Sequence, residues 1–107
     1  MAETPNLDYI KEIAGGNEEF EKKFLSIIQV EFPKEKEDYR NLLDNGELEE
    51  SAKVVHKIKH KLGILGLNNG YKMAIQYEED LKIGNTALTN DFEGILEAVE
   101  EFILKLA

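Results

Sequence analysis

His56 and His60 are the only histidines of this chain. Imidazole titrates near neutral pH, and its neutral form offers a nitrogen lone pair that serves as nucleophile, base or metal ligand. Both rings lie in the stretch HKIKHKLGILGL, His56 to Leu67, interleaved with Lys57, Lys59 and Lys61. A four-residue separation puts side chains on one face of a helix, one turn apart. The surroundings are unusual for this protein. The chain carries a net charge of −9, yet Ser51 to Tyr77 holds five lysines and no Asp or Glu, a local charge of +5. Such a segment is either a solvated helix face or a small site for something anionic.

The rest of the composition narrows the classes. With 107 residues the chain is long enough for one compact domain, taken here as 1–107, and too short for two. Without Cys there is no disulfide, thiolate metal site or cysteine nucleophile. The negative balance argues against nucleic acid and anionic membrane as partners. No apolar run approaches the roughly 20 residues of a membrane helix. The start, MAETPNLDY, has neither the basic nor the apolar part of a signal peptide. The expectation is a soluble, cytoplasmic protein.

Helices must position the two rings, since apolar residues recur at helical period and strand-type alternation is missing. A short helix is expected over about Leu7 to Ala14, stopped by Gly15 and Gly16. Asn17 then caps a long helix whose face carries Phe20, Phe24, Ile27, Ile28, Tyr39, Leu42 and Leu43. Pro33 is expected to kink or break it. Asn45-Gly46 is a turn signal. A third helix runs from near Glu47 to near Leu65, closed by Gly66, and Asn68-Asn69-Gly70 forms a connection. A fourth runs from about Tyr71 to Lys82. Asn90-Asp91-Phe92-Glu93 has the form of a capping box for a last helix ending at Lys105. Its stripe is Phe92, Ile95, Leu96, Val99, Phe102, Ile103 and Leu106. Short connections make neighbours antiparallel, so the expected fold is all-α: an up-down-up-down four-helix bundle with a short extra N-terminal helix.

At about 100° per residue, Leu48, Val54, Val55, Ile58, Leu62 and Leu65 share the core-facing arc of the third helix. His56 lies well away from the centre of that arc and should be exposed. Ala52, Lys59, His60 and Gly63 share its face, and the small residues among them leave room for a second protein to approach. An interior glycine costs about 1 kcal/mol relative to alanine, so Gly63 either keeps that surface open or packs closely against another helix. Glu78 falls inside the apolar arc of the fourth helix, where an unpaired carboxylate is expensive. Either it pairs with Lys59 and the His56 ring, or it turns out to water at the rim, where the Lys59 ammonium is expected to lie as well. A bond from Nδ1–H to Glu78 would fix the tautomer and leave Nε2 free as nucleophile.

His56-Lys57-Ile58-Lys59, with Gly66-Leu67 at the helix end, resembles the signature of histidine phosphotransfer (HPt) domains, H-x-x-K-G followed by a later glycine. The resemblance extends to the Gly-Gly-Asn start, the long second helix, the Asn-Gly turn and two further helices, nearly the whole chain. It implies a helical bundle that carries a phosphoryl group between receiver domains of two-component phosphorelays. His56 looks like the phospho-accepting histidine, Lys59 matches the lysine that stabilises the phosphoryl charge, and Gly66 matches the later glycine. Glu78 falls where several members carry a glutamine that orients the ring. His60 stands where the family usually has glycine, which bears on partner choice or gives a contact to the phosphoryl group. Ala52, Lys53, Lys57, Gly63 and Gly66 would form the docking surface. The expected partners are response-regulator receivers and a hybrid sensor histidine kinase. The chain would be a monomeric carrier, not a kinase, because it has no phosphate-cradling glycine loop. Mg²⁺ would sit on the receiver.

Two other readings exist. Histidines at i, i+4 have zinc-site spacing, but no acid lies between Ser51 and Tyr77 and the lysines oppose a cation. No cofactor or metal of its own is therefore expected. A helical adaptor without chemistry would explain the bundle and leave the basic segment unexplained.

Overall fold

The computed structural model describes residues 3–106. They form five α-helices and no strand: α1 (Asp8–Ala14), α2 (Glu18–Asp44), α3 (Leu48–Ile64), α4 (Asn68–Lys82) and α5 (Thr89–Lys105). The all-α architecture of one short helix followed by four long ones is as expected. No helix of the described residues is long and apolar enough to cross a membrane.

Local chemistry sets several ends. Asn17 caps α2, its side-chain oxygen accepting from the Phe20 N–H at 3.0 Å. Gly66 follows α3 at φ 80°, a left-handed conformation that glycine adopts without steric cost. Pro33 does not break α2, which runs through it as one helix of 27 residues. The proline faces solvent, where its missing donor and ring are tolerated, while Ile28, Phe32 and Tyr39 pack into the core on both sides of it.

Cross-helix pairs fix the topology. Gln29, Lys36 and Arg40 of α2 meet Ile103, Glu100 and Glu93 of α5 in descending order, so these helices are antiparallel. Lys61 of α3 meets Glu31 and Glu35 of α2, and His56 and Lys59 of α3 meet Glu78 of α4. With turns of only Asn45–Glu47 and Leu65–Leu67, both neighbouring pairs are antiparallel as well. The longest dimension, 44 Å, is close to the ~40 Å length of a helix the size of α2.

The core joins Ile28, Phe32 and Tyr39 of α2 with Val55, Ile58 and Leu62 of α3. Ala74, Tyr77 and Leu81 of α4, and Phe92, Leu96, Val99 and Ile103 of α5, complete it, with Ile10 of α1 inserted. At its centre Tyr39, Tyr77 and Phe92 pack with ring centroids 5.0–6.1 Å apart. The hydroxyls of Tyr39, Tyr77 and Thr89 form a chain, buried at the tyrosines and half-buried at Thr89, that links α2, α4 and α5. Phe20 and Ile27, expected on the packed face of α2, are exposed. α3 and α5 cover only part of that helix.

Two boundaries depart from the local signals. Asn68, Asn69 and Gly70 are the first turn of α4, not a connection. The Glu3 carboxylate accepts from the backbone N–H groups of Asn69 and Gly70 at 2.9 and 2.8 Å. A residue far away in sequence thus satisfies the orphan donors that a helix start leaves. The Asn90 capping box does not form. α5 begins at Thr89 with Leu88, which has no capping group, at its N-cap, so Asn90 falls inside the helix, and the Glu93 carboxylate pairs instead with the Arg40 guanidinium at 2.7 Å.

Candidate functional site

α3 lies between α2 and α4, and each of its edges carries a lysine held by acids from the neighbouring helix. Lys61 reaches Glu31 and Glu35 of α2, each at 3.0 Å. Lys59 reaches Glu78 of α4 at 3.0 Å. His56 stands between these edges. Its side chain is 52% exposed, as the helical wheel requires.

Glu78 organises the imidazole. Its carboxylate oxygens lie 3.1 and 3.2 Å from Nδ1 of His56. With the ring neutral and protonated at Nδ1, that nitrogen donates to Glu78 and Nε2 keeps its lone pair. Burial by itself would push the Glu78 carboxyl up; the bonds from Lys59 and His56, together with their charge, outweigh it and hold its pKa below the ordinary carboxylate range. Lys82 stands 3.8 Å from the same carboxylate. Sequence reasoning missed this second cation, although its i, i+4 spacing from Glu78 is a legible signal.

Lys59 is buried, with its side chain only 10% exposed, and does not lie in water along the rim. Its ammonium sits 3.2 Å from Nδ1 of His56 and about 6.0 Å from the centre of the Tyr71 ring. With Nδ1 protonated, that nitrogen cannot accept from the ammonium; Glu78 accepts from both groups, and Lys59 acts on the Nδ1 edge through it. At the opposite edge stands His60: the two Nε2 atoms are 3.4 Å apart and the rings meet edge to face, 87° between planes.

The surface around the ring is narrower than expected. Ala52 is fully buried, because α3 is covered on two sides and its buried arc is wider than its apolar stripe. Gly63 admits α4 closely: a Cβ there would lie 3.2 Å from the Tyr71 ring, so its role is helix packing. Gly66 is covered by the N-terminal segment, a Cβ there falling 2.5 Å from the Asn6 amide. Ala52 therefore does not belong to an open docking face, while Gly63 and Gly66 are half-buried. Lys53, Lys57 and His60 remain exposed.

The basic segment is also less basic in space than along the chain. Lys53 pairs with Glu50 at 3.0 Å, Lys59 with Glu78, and Lys61 with Glu31 and Glu35. For Lys61, burial favours loss of the proton, but its two acidic partners outweigh that and raise its pKa. Among the described residues, no group of three or more His, Cys, Asp or Glu is arranged to hold a metal ion.

Comparison with protein-family models, with characterised proteins and with solved structures found no match to this chain.

Proposed function

We propose that this chain is a phosphocarrier whose His56 exchanges a phosphoryl group with the aspartates of receiver domains. The observation that carries the reading is an exposed imidazole held at Nδ1 by a buried carboxylate. That arrangement leaves Nε2 as the reactive atom.

The Nε2 lone pair attacks the phosphorus of an aspartyl phosphate. The P–N bond forms as the P–O bond to the aspartate breaks, and the receiver carboxylate leaves with the electron pair. The ring keeps its Nδ1 proton and becomes positively charged, and Glu78 stabilises that charge through the bond it already makes. The ring also remains a good leaving group, so the group passes on to a second receiver by the reverse step. Lys59 keeps Glu78 ionised and aimed at Nδ1. Positioning and electrostatics dominate such transfers, and the Mg²⁺ they need comes with the receiver. A receiver enters on the His60 side of the ring, where Lys53 and Lys57 are exposed. Receivers and a hybrid sensor kinase are the proposed partners, a monomer in the cytoplasm the proposed setting.

Incubation of the chain with a phosphorylated receiver tests this. Acid-labile label on the wild-type chain and none on His56→Gln is the expected result. No label on the wild type, or label surviving in His56→Gln, overturns it.

A further inference from the structure

We propose that His56 and His60 together bind a divalent transition-metal cation through their two Nε2 atoms, which silences His56 as a nucleophile while the metal is bound. The binding stands on geometry alone; the silencing rests on the phosphoryl-carrier reading.

The two Nε2 atoms are 3.4 Å apart. Nitrogens each about 2.0–2.1 Å from a tetrahedral zinc ion lie roughly 3.3–3.4 Å from one another. In the metal-free pair the His60 Nε2–H points at the Nε2 lone pair of His56; when a cation binds, His60 carries its proton on Nδ1 instead, and the cation sits to one side of the line between the two nitrogens. A second observation points the same way. Histidines that ligate metals nearly always give their other ring N–H to a carboxylate or carbonyl, which fixes the tautomer. Nδ1 of His56 already has that partner in Glu78, at 3.1 Å.

Three of the four lysines that oppose a cation on this helix are compensated, and the fourth, Lys57, is exposed to solvent. Lys53, Lys59 and Lys61 are each paired with acids, and Lys59 lies on the far, Nδ1 edge of the ring. Both imidazoles are exposed, so a cation reaches them without any rearrangement of the bundle. Since no cluster of three protein ligands exists among the described residues, the remaining coordination positions fall to water. The site is therefore exchangeable. It should favour Cu²⁺ over Zn²⁺, by the usual order of affinity for imidazole, and ignore Mg²⁺, which demands oxygen ligands.

Zinc chloride titrated into the full chain above neutral pH, followed by the NMR signals of both imidazoles, tests the site. The expected result is a joint shift of both rings saturating at one zinc per chain, with affinity at least about tenfold weaker in His60→Gln and in Glu78→Ala, which removes the acceptor at Nδ1. Independent shifts of the two rings, or undiminished affinity in His60→Gln, overturn it. In a phosphotransfer assay with Mg²⁺ present, the rate with and without zinc is compared within each variant. Inhibition of the wild type, relieved by a zinc-selective chelator and at least about tenfold less sensitive in His60→Gln, is expected; equal sensitivity overturns the silencing. Joint zinc binding by a chain that takes up no phosphoryl label would sink the carrier reading and leave the metal site standing.

Discussion

Lys59 and Glu78 meet 3.0 Å apart between α3 and α4, both nearly closed off from solvent. The pair does two things at once. It fastens the two helices that carry the site, and it keeps an ionised carboxylate against Nδ1 of His56. Positioning and stability are therefore coupled at one residue, Glu78.

Glu78→Gln separates them. The amide oxygen still accepts from Nδ1–H, but the buried ammonium of Lys59 loses its counter-charge, and a hydrogen bond to a charged group is worth about 1.5–3 kcal/mol. The folded-state pKa of Glu78 lies below its ordinary value. Its stabilisation is thus full above the unfolded-state pKa, about 4.3, and disappears as pH falls through the lower folded-state value. Urea denaturation of both proteins should show a gap near neutral pH that closes in acid. A gap independent of pH would mean that packing, not charge, sets the difference.

Lys59→Ala is expected to slow phosphotransfer about tenfold, some 1.4 kcal/mol of barrier, while the far-ultraviolet circular dichroism stays helical. The lysine acts through Glu78 at the Nδ1 edge, so the His56 ring should also lose its fixed tautomer in nitrogen NMR spectra. Wild-type rates with a wild-type tautomer would remove Lys59 from the site.

His60→Gly frees the Nε2 atom of His56 from a neighbour 3.4 Å away and clears the approach of a receiver. Phosphotransfer should become faster, by several-fold, and extend to more receivers. A slower variant would show that His60 contributes to the transfer itself.

In the hydroxyl chain, Tyr77 is the middle member, bonded to both Tyr39 and Thr89. Tyr77→Phe strands the buried Tyr39 hydroxyl, costing about 1–3 kcal/mol, whereas Tyr39→Phe leaves the Tyr77–Thr89 bond and should cost about 1 kcal/mol. Equilibrium unfolding of the two variants gives the order directly, and the reverse order would contradict the chain.

Glu3→Ala removes the cap on α4 and is expected to cost about 1 kcal/mol, the usual value of a helix N-cap. Amide exchange at Asn69 and Gly70 should quicken while that of Leu81 stays slow. Unchanged exchange at the first turn would show that the Glu3 contact does not persist in solution.

Much of this was legible in the residues. The helical periods, the Asn17 cap, the Gly66 closure, the outward His56 and the misplaced acid Glu78 all follow from near-neighbour rules, since 3.6 residues per turn fixes which side chains share a face. What needed the tertiary structure was the pairing of groups distant in sequence. Glu3 starts α4 earlier than the Asn-Asn-Gly stretch implies, and Glu93 pairs with Arg40 instead of closing a capping box. Glu31, Glu35 and Glu78 largely offset a segment that reads as basic. Burial of Lys59 was decided by α4 covering one edge of α3. An orphan N–H or a desolvated charge is satisfied by whichever partner stands nearest in space, and sequence separation does not enter that energy.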